Sequence, residues 1–337
     1  MAQIGDFLKG AGGAQVECGR IPVGGMASGM SVDLPYVAVR GARPGKTLWI
    51  NGQVHGDEIN GMIASLRFVR GLDPKAMTGN VVVTPTANPH ALDLRRKRNP
   101  YDELDLDQTF PGAARGLISE RLSSALFAQI RGVADMLVSL HTMNPLFDSK
   151  LYAVYKVHPD SGVSEMAQLK ALSVFAPNVA CRQNVAGAGE LPGNVAGGID
   201  YQALAAGIPS FMIELGAGSR YEAHNVEAAM LGFRRLAAQL GILQPLDGDD
   251  APASVRRVTK RNWVTYEKGG LFTAEVEAGA TVEAGTLVGR TIDLFGEEVE
   301  TFVVDVPSVI FGLRRDPVVH TGERAAFVAT QWDNVAV

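Results

Sequence analysis

His55 and Glu58 stand three residues apart in the stretch Asn51-Gly52-Gln53-Val54-His55-Gly56-Asp57-Glu58, where an apolar run ends and ligand-capable side chains begin. An imidazole and a carboxylate so placed can converge on one cation, and Gly52 and Gly56 let the backbone fold tightly between them. His-x-x-Glu is a common spacing, so the pair needs a third donor. His141, directly after the apolar run of residues 136–140, can supply it. Two histidines and one glutamate suit a borderline cation such as Zn²⁺ and leave a position where water is activated. Glu214 follows another apolar run, residues 209–213. A carboxylate there can take a proton from water on the metal and pass it to a leaving amine, provided a partly desolvated pocket raises its pKa. Its alternative role is to cap the element that follows.

The elements that must position these residues read as alternating strands and helices. Residues 47–50 look like the end of a buried strand, and residues 59–70 like the helix after it, with Met62, Ile63, Leu66 and Val69 at helical spacing. Residues 81–83 form a second buried strand and residues 119–133 a helix with Leu122, Leu126 and Ile130 on one face. Strands at 134–140, 151–155 and 209–213 follow, with helices at 162–172 and 225–240. This order predicts an α/β fold whose mixed, mostly parallel sheet is sandwiched by helices. The candidate residues then fall at three strand ends, where open α/β sheets place their sites. Residues 93–112 are a long polar segment without periodicity, containing Arg95-Arg96-Lys97-Arg98, and loops of that length are usually functional or disordered. The Pro, Gly and Asp content of residues 243–256 marks a linker. Short strands with glycine turns beyond it predict a small all-β C-terminal domain. The expected division is a catalytic domain over residues 1–245 and a β domain over residues 256–337.

A chain of 337 residues, 46% hydrophobic, can bury more than one core. Its 31 basic and 36 acidic residues give a net charge of −5, with no basic patch beyond residues 95–98, which argues against nucleic acid as a partner. Cys18 and Cys181 are too few and too distant for a disulfide scaffold, so two buried thiols in a reducing compartment are expected. No apolar run approaches the roughly 20 residues that span a bilayer, so no membrane partner and a cytoplasmic location are expected.

His55-Gly56-Asp57-Glu58, Asn88-Pro89, Asp105-Leu106-Asp107-Gln108-Thr109-Phe110-Pro111-Gly112, Ser139-Leu140-His141-Thr142 and Ile213-Glu214-Leu215-Gly216 occur in this order. The ordered set resembles the succinylglutamate desuccinylase/aspartoacylase family of zinc carboxypeptidase-like hydrolases over nearly the whole chain. The resemblance implies one zinc per subunit on His55, Glu58 and His141, with Glu214 as general acid/base in cleavage of a small N-acyl substrate's amide. It also implies an arginine that polarises the scissile carbonyl. Arg98 is the best match, with Arg95, Arg96 and Lys97 as alternatives. The C-terminal domain resembles the biotinyl/lipoyl carrier fold but has no lysine at a hairpin tip. Its expected role is to wall the active-site entrance or to mediate subunit contacts in a homo-oligomer.

The sequence departs from the family at the substrate end. The family pattern Asp-Leu-Asn-Arg-x-Phe-Pro-Gly uses its Asn and Arg to bind a substrate carboxylate, and this chain has Asp107 and Gln108 there. Neither forms the bidentate charge-assisted bond that arginine gives, and an aspartate repels a carboxylate and attracts an ammonium. The expected substrate therefore offers Asp107 and Gln108 a neutral amide or a free amine, as in an N-acetylated diamine or diamino acid. The alternative is that Arg182 or Arg220 has taken over carboxylate binding. Rival functions are a carboxypeptidase on a short peptide, and a metal- or small-molecule-binding protein that has lost catalysis.

Overall fold

The computed structural model describes residues 4–10, 12–185 and 194–337. In chain order the first half runs α1 (Ile4–Lys9), β1 (Gln15–Gly25), β2 (Ser31–Arg40), β3 (Arg43–Asn51), α2 (Ile59–Arg70), β4 (Thr78–Thr84), α3 (Pro89–Leu94), α4 (Ile118–Val133) and β5 (Met136–Met143). It continues with β6 (Phe147–Ser149), β7 (Tyr152–Val157), α5 (Glu165–Ser173), β8 (Ala180–Asn184), α6 (Ile199–Ala205), β9 (Ser210–Ala217) and α7 (Ala223–Gln239). The remainder is all strand: β10 (Ser254–Thr265), β11 (Gly270–Ala274), β12 (Ala280–Val282), β13 (Leu287–Ile292), β14 (Glu298–Val303), β15 (Ser308–Arg314), β16 (Val318–Val319) and β17 (Arg324–Ala336).

Thirteen strands make one mixed sheet in the order β1-β2-β4-β3-β5-β9-β7-β8-β10-β17-β15-β12, with β6 paired to β15. The pairs of β3 with β4 and β5, of β5 with β9, and of β8 with β7 and β10 are parallel. Successive residues of a strand face opposite sides, so the central strands load both faces with apolar groups. Leu48 and Ile50 join the core beneath α2, α5 and α7, while Trp49 joins the core beneath α1, α4 and α6. The expected layered α/β architecture is thus present, and a separate four-stranded antiparallel sheet, β14-β13-β11-β16, stands beside it.

The strand after the linker does not start a detached sheet. β10 pairs in parallel with β8 through Arg257↔Ala180 and Val258↔Cys181, carrying the main sheet into the C-terminal segment. A core of Met143, Tyr152 and Met212 with Val309, Phe311 and Phe327 fills the junction. Two sequence expectations are corrected here. Cys18 is exposed, because β1 is an edge strand paired on one side with β2 and only partly covered; Cys181 alone is buried. His141 and Glu214 lie inside β5 and β9 rather than beyond their ends, because pairing between the two strands continues through them.

Candidate active site

The sheet register aligns much of the site. His141 of β5 is the partner of Glu214 on β9, and Glu214 is the partner of Tyr152 on β7. His55 and Glu58 come from the loop after β3, which lies next to β5 on the other side. Gly61 lets α2 approach the sheet: a Cβ there would meet the Leu140 Cβ at 2.5 Å. Glu58 occupies the position before α2 but its side chain makes no capping bond, so its carboxylate is free for the histidines. Gly56 is needed for close approach, since a Cβ would lie 2.0 Å from the Ala91 carbonyl carbon.

Glu58 bridges the two imidazoles. Its Oε1 is 2.7 Å from His55 Nδ1 and its Oε2 is 3.1 Å from His141 Nδ1. The outer nitrogens are held from behind: His55 Nε2 lies 3.0 Å from Asp105 Oδ1, and His141 Nε2 lies 3.1 Å from Ser139 Oγ. Both Nδ1 atoms therefore face inward, and the ligand atoms of His55, Glu58 and His141 lie within 4.8 Å of one another. Outer-shell bonds of this kind fix ring orientation at metal sites. The donor set, two neutral-capable imidazoles and a carboxylate, fits a divalent transition cation.

Charge balance differs along the site. Burial pushes the Glu58 carboxyl up, but the two imidazoles outweigh it and hold the group down at about 2. Burial opposes charge on His55 and His141 too, yet Glu58 raises both above the ordinary imidazole value. For Glu214 the compensation falls short. Its Oε2 is out of solvent with no hydrogen-bond partner, and burial, with the Glu58 charge nearby, pushes its carboxyl up to about 7 against the pull of His141. A carboxyl raised to that range suits proton transfer near neutral pH.

These residues open into a cleft of about 860 Å³. Lys97 and Arg98 line it, whereas Arg95 and Arg96 do not. Lys97 Nζ is 3.4 Å from Asp105 Oδ2, so it is tied to the carboxylate that holds His55; Arg98 is exposed and donates weakly to the Glu103 carbonyl at 3.5 Å. Asp107 and Gln108 also line the cleft, on a 3-10 turn anchored by buried Leu106. Asp107 Oδ1 is shielded from solvent and unpartnered, and burial raises that carboxyl. Arg182 pairs with Glu165, and Arg220 with Asp148 and Glu222; neither lines the cleft.

Sequence reasoning assigned no role to Asp105, Tyr152 or Lys156, and although it expected the C-terminal domain to wall the entrance, it named none of Arg261, Trp263, Arg314, Arg324 and Phe327, which line the cleft. In that wall Trp263 stacks on Phe327 at 4.1 Å with planes 6° apart, and the Arg324 guanidinium sits 4.5 Å over Trp263. Lys156 had a signal, a lysine inside the otherwise apolar run of β7. The wall residues had none, because nothing local places β10 and β17 against the site.

A mixed sheet carrying a His–Glu–His cluster near the carboxyl ends of parallel strands is the ground plan of a metal-dependent hydrolase. The family model for the succinylglutamate desuccinylase/aspartoacylase catalytic domain matches residues 44–240, and the chain belongs to that family of amide-hydrolysing deacylases. It is 23% identical over 266 residues to N-alpha-acetyl-L-2,4-diaminobutyric acid deacetylase of Halomonas elongata, covering 78% of this chain and 75% of the relative. A succinylglutamate desuccinylase from Silicibacter sp. TM1040 superposes with a TM-score of 0.81 at 22% identity, covering 95% of this chain and 96% of that one. The product-bound ectoine utilization protein EutE (DoeB) from Ruegeria pomeroyi gives 0.81 at 21% identity, with the same coverage. Among the described residues no helix is long and apolar enough to cross a membrane.

Proposed function

We propose that the protein is a zinc-dependent amidohydrolase that removes the acyl group from a small N-acyl compound carrying a free amine. The observation that carries this reading is the inward-facing His55, Glu58 and His141 set beside a carboxylate, Glu214, that burial has raised to about 7. His55 Nδ1, Glu58 and His141 Nδ1 would hold one zinc per subunit. Bound there, the cation supplies activation of water and polarisation of a carbonyl. Glu214 takes the proton from the attacking water and delivers it to the departing amine nitrogen. Arg98 hydrogen-bonds the acyl oxygen as negative charge builds on it, while Lys97 stays paired with Asp105. Asp107 and Gln108 contact the amine end of the substrate. Support for that end comes from the unpartnered Asp107 Oδ1, and from a relative whose name gives it a diamino acid substrate. The strands beyond residue 253 act as a wall of the entrance, as their lining side chains suggest.

Metal analysis and amine release from N-acetylated diamines and diamino acids test the reading. The wild type is expected to carry stoichiometric zinc and hydrolyse these substrates. Glu214→Gln should keep the zinc and lose about 10²- to 10⁴-fold in kcat, the usual contribution of a general acid/base. Zinc-loaded wild type that releases no amine, or Glu214→Gln at full rate, sinks the mechanism.

A further inference from the structure

Along the cleft a second group of charges lies outside the His55, Glu58 and His141 set. Lys156 lines the cleft yet is 3% exposed, and its Nζ is 2.5 Å from Oδ1 of Asp200, a residue with no exposure at all. Asp200 opens α6, and its Oδ2 has no hydrogen-bond partner. The turn carrying Asp107 packs against the turn Val195–Gly197 that leads into α6, with Phe110 N donating to Gly197 O at 3.0 Å. Gly198 covers the pair closely: a Cβ there would lie 2.8 Å from Asp200 Oδ1 and 2.9 Å from Lys156 Nζ. Asp107 feels both charges, stabilised by Lys156 and opposed by Asp200, but makes no ion pair with Lys156.

Within the trio of Asp107, Asp200 and Lys156 the carboxylates outnumber the ammonium by one, and burial of Asp107 outweighs the pull of the His141 imidazole and of Lys156. A buried carboxylate oxygen without a hydrogen-bond partner is costly, and the Lys156 ammonium is already committed to Asp200. We infer that Asp200 holds Lys156 away from Asp107, and that Asp107 is thereby left to pair with a primary ammonium on the substrate. The inference rests on the amidohydrolase reading and deepens it. Asp200 is a positioning residue that sets the charge class of the substrate, and Lys156 is the competitor it restrains. Without Asp200, the Lys156 ammonium is free to turn to Asp107 and occupy the subsite from within.

The test compares wild type, Asp200→Asn and Lys156→Met, each checked for fold by circular dichroism and for metal content. Binding of propane-1,3-diamine and of its uncharged isostere propane-1,3-diol is measured by calorimetry, and kinetics are run on an N-acetylated diamine and its methyl-terminated isostere. Wild type should prefer the ammonium ligand by about 10- to 100-fold, the range of a charge-assisted bond. Asp200→Asn should lose that preference, through KM rather than kcat. Lys156→Met should bind the diamine more tightly than wild type, because the buried Asp200 charge is no longer neutralised and adds to the negative potential at Asp107. If Lys156→Met binds the diamine no better and Asp200→Asn no worse, the inference is overturned. Hydrolysis without ammonium preference removes the subsite and leaves the amidohydrolase reading standing. Asp200-dependent diamine binding without hydrolysis does the reverse.

Discussion

Glu58 and Glu214 are two carboxylates on one cleft with opposite fates, and the difference is what surrounds them. Both lose solvation, but Glu58 lies 2.7 and 3.1 Å from two imidazole nitrogens whose charge outweighs burial, whereas at Glu214 burial wins over the more distant imidazoles. The consequence is a pH dependence whose sign follows from the roles. In the proposed mechanism Glu214 works as a base only as a carboxylate, and burial favours its protonated form up to about 7. Activity is therefore present above that value and kcat/KM falls about tenfold per pH unit as pH drops below it. A bound dication favours the carboxylate and moves the limb lower. A profile of kcat/KM measured through this range checks the assignment; a flat acidic side in wild type, or an unchanged limb in Glu214→Gln, removes it. At this scale the sequence was informative about donors, since His141 and Glu214 directly follow apolar runs and His55 and Glu58 stand three apart in the loop after another. It was silent about the groups behind them, because Asp105 and Ser139 act through space on the far side of each imidazole.

Among the elements, the loop between β3 and α2 is held by its neighbours more than by its own bonds. Gly56 N donates to Arg96 O at 2.9 Å, Asn88 Nδ2 to Val54 O at 3.2 Å, and Asn99 Nδ2 to Asn88 Oδ1 at 3.2 Å. The polar segment that had no periodicity is thus the clamp on the loop that carries His55 and Glu58, which its polarity alone did not reveal. Gly56→Ala should force Ala91 and the loop apart, costing about 2–3 kcal/mol of stability, at the upper end for single substitutions. Zinc stoichiometry should fall with it. Thermal unfolding and metal content check both, and a variant with wild-type values for each would show that the loop tolerates the added carbon. The helices α2, α4 and α7 were legible from their apolar spacing to within about two residues, the ordinary fraying of assigned ends. The strands were less so, since their limits depend on pairing partners distant in sequence.

Across the whole molecule, the linker reads in sequence as a boundary, whereas the sheet runs on beyond it. β8 is completed by β10, and the core around Tyr152 and Met212 is closed by Val309, Phe311 and Phe327. A chain ending at residue 245 would expose a parallel strand edge and that apolar surface together, a combination that promotes aggregation. We expect it to be insoluble or to lack a cooperative unfolding transition, with the intact chain unfolding in one. Solubility, calorimetry and dye binding to exposed apolar surface check this. A monomeric, cooperatively folding fragment would show that the first 245 residues need no completion. The separation in sequence could not convey this dependence, because parallel pairing between β8 and β10 is a long-range contact with no local signature.

The stacked indole in the cleft wall also gives the molecule an optical handle. Of its three tryptophans, Trp49 has no solvent exposure and is fixed in the core by a bond from Nε1 to Thr84 Oγ1 at 3.1 Å. Trp332 packs at the margin of the junction core. Trp263 alone lines the cleft, between a guanidinium and a phenyl ring. Its fluorescence senses the polarity and quenching of whatever enters, while Trp49 supplies a constant background, so occupancy of the cleft can be followed by emission on the unlabelled protein.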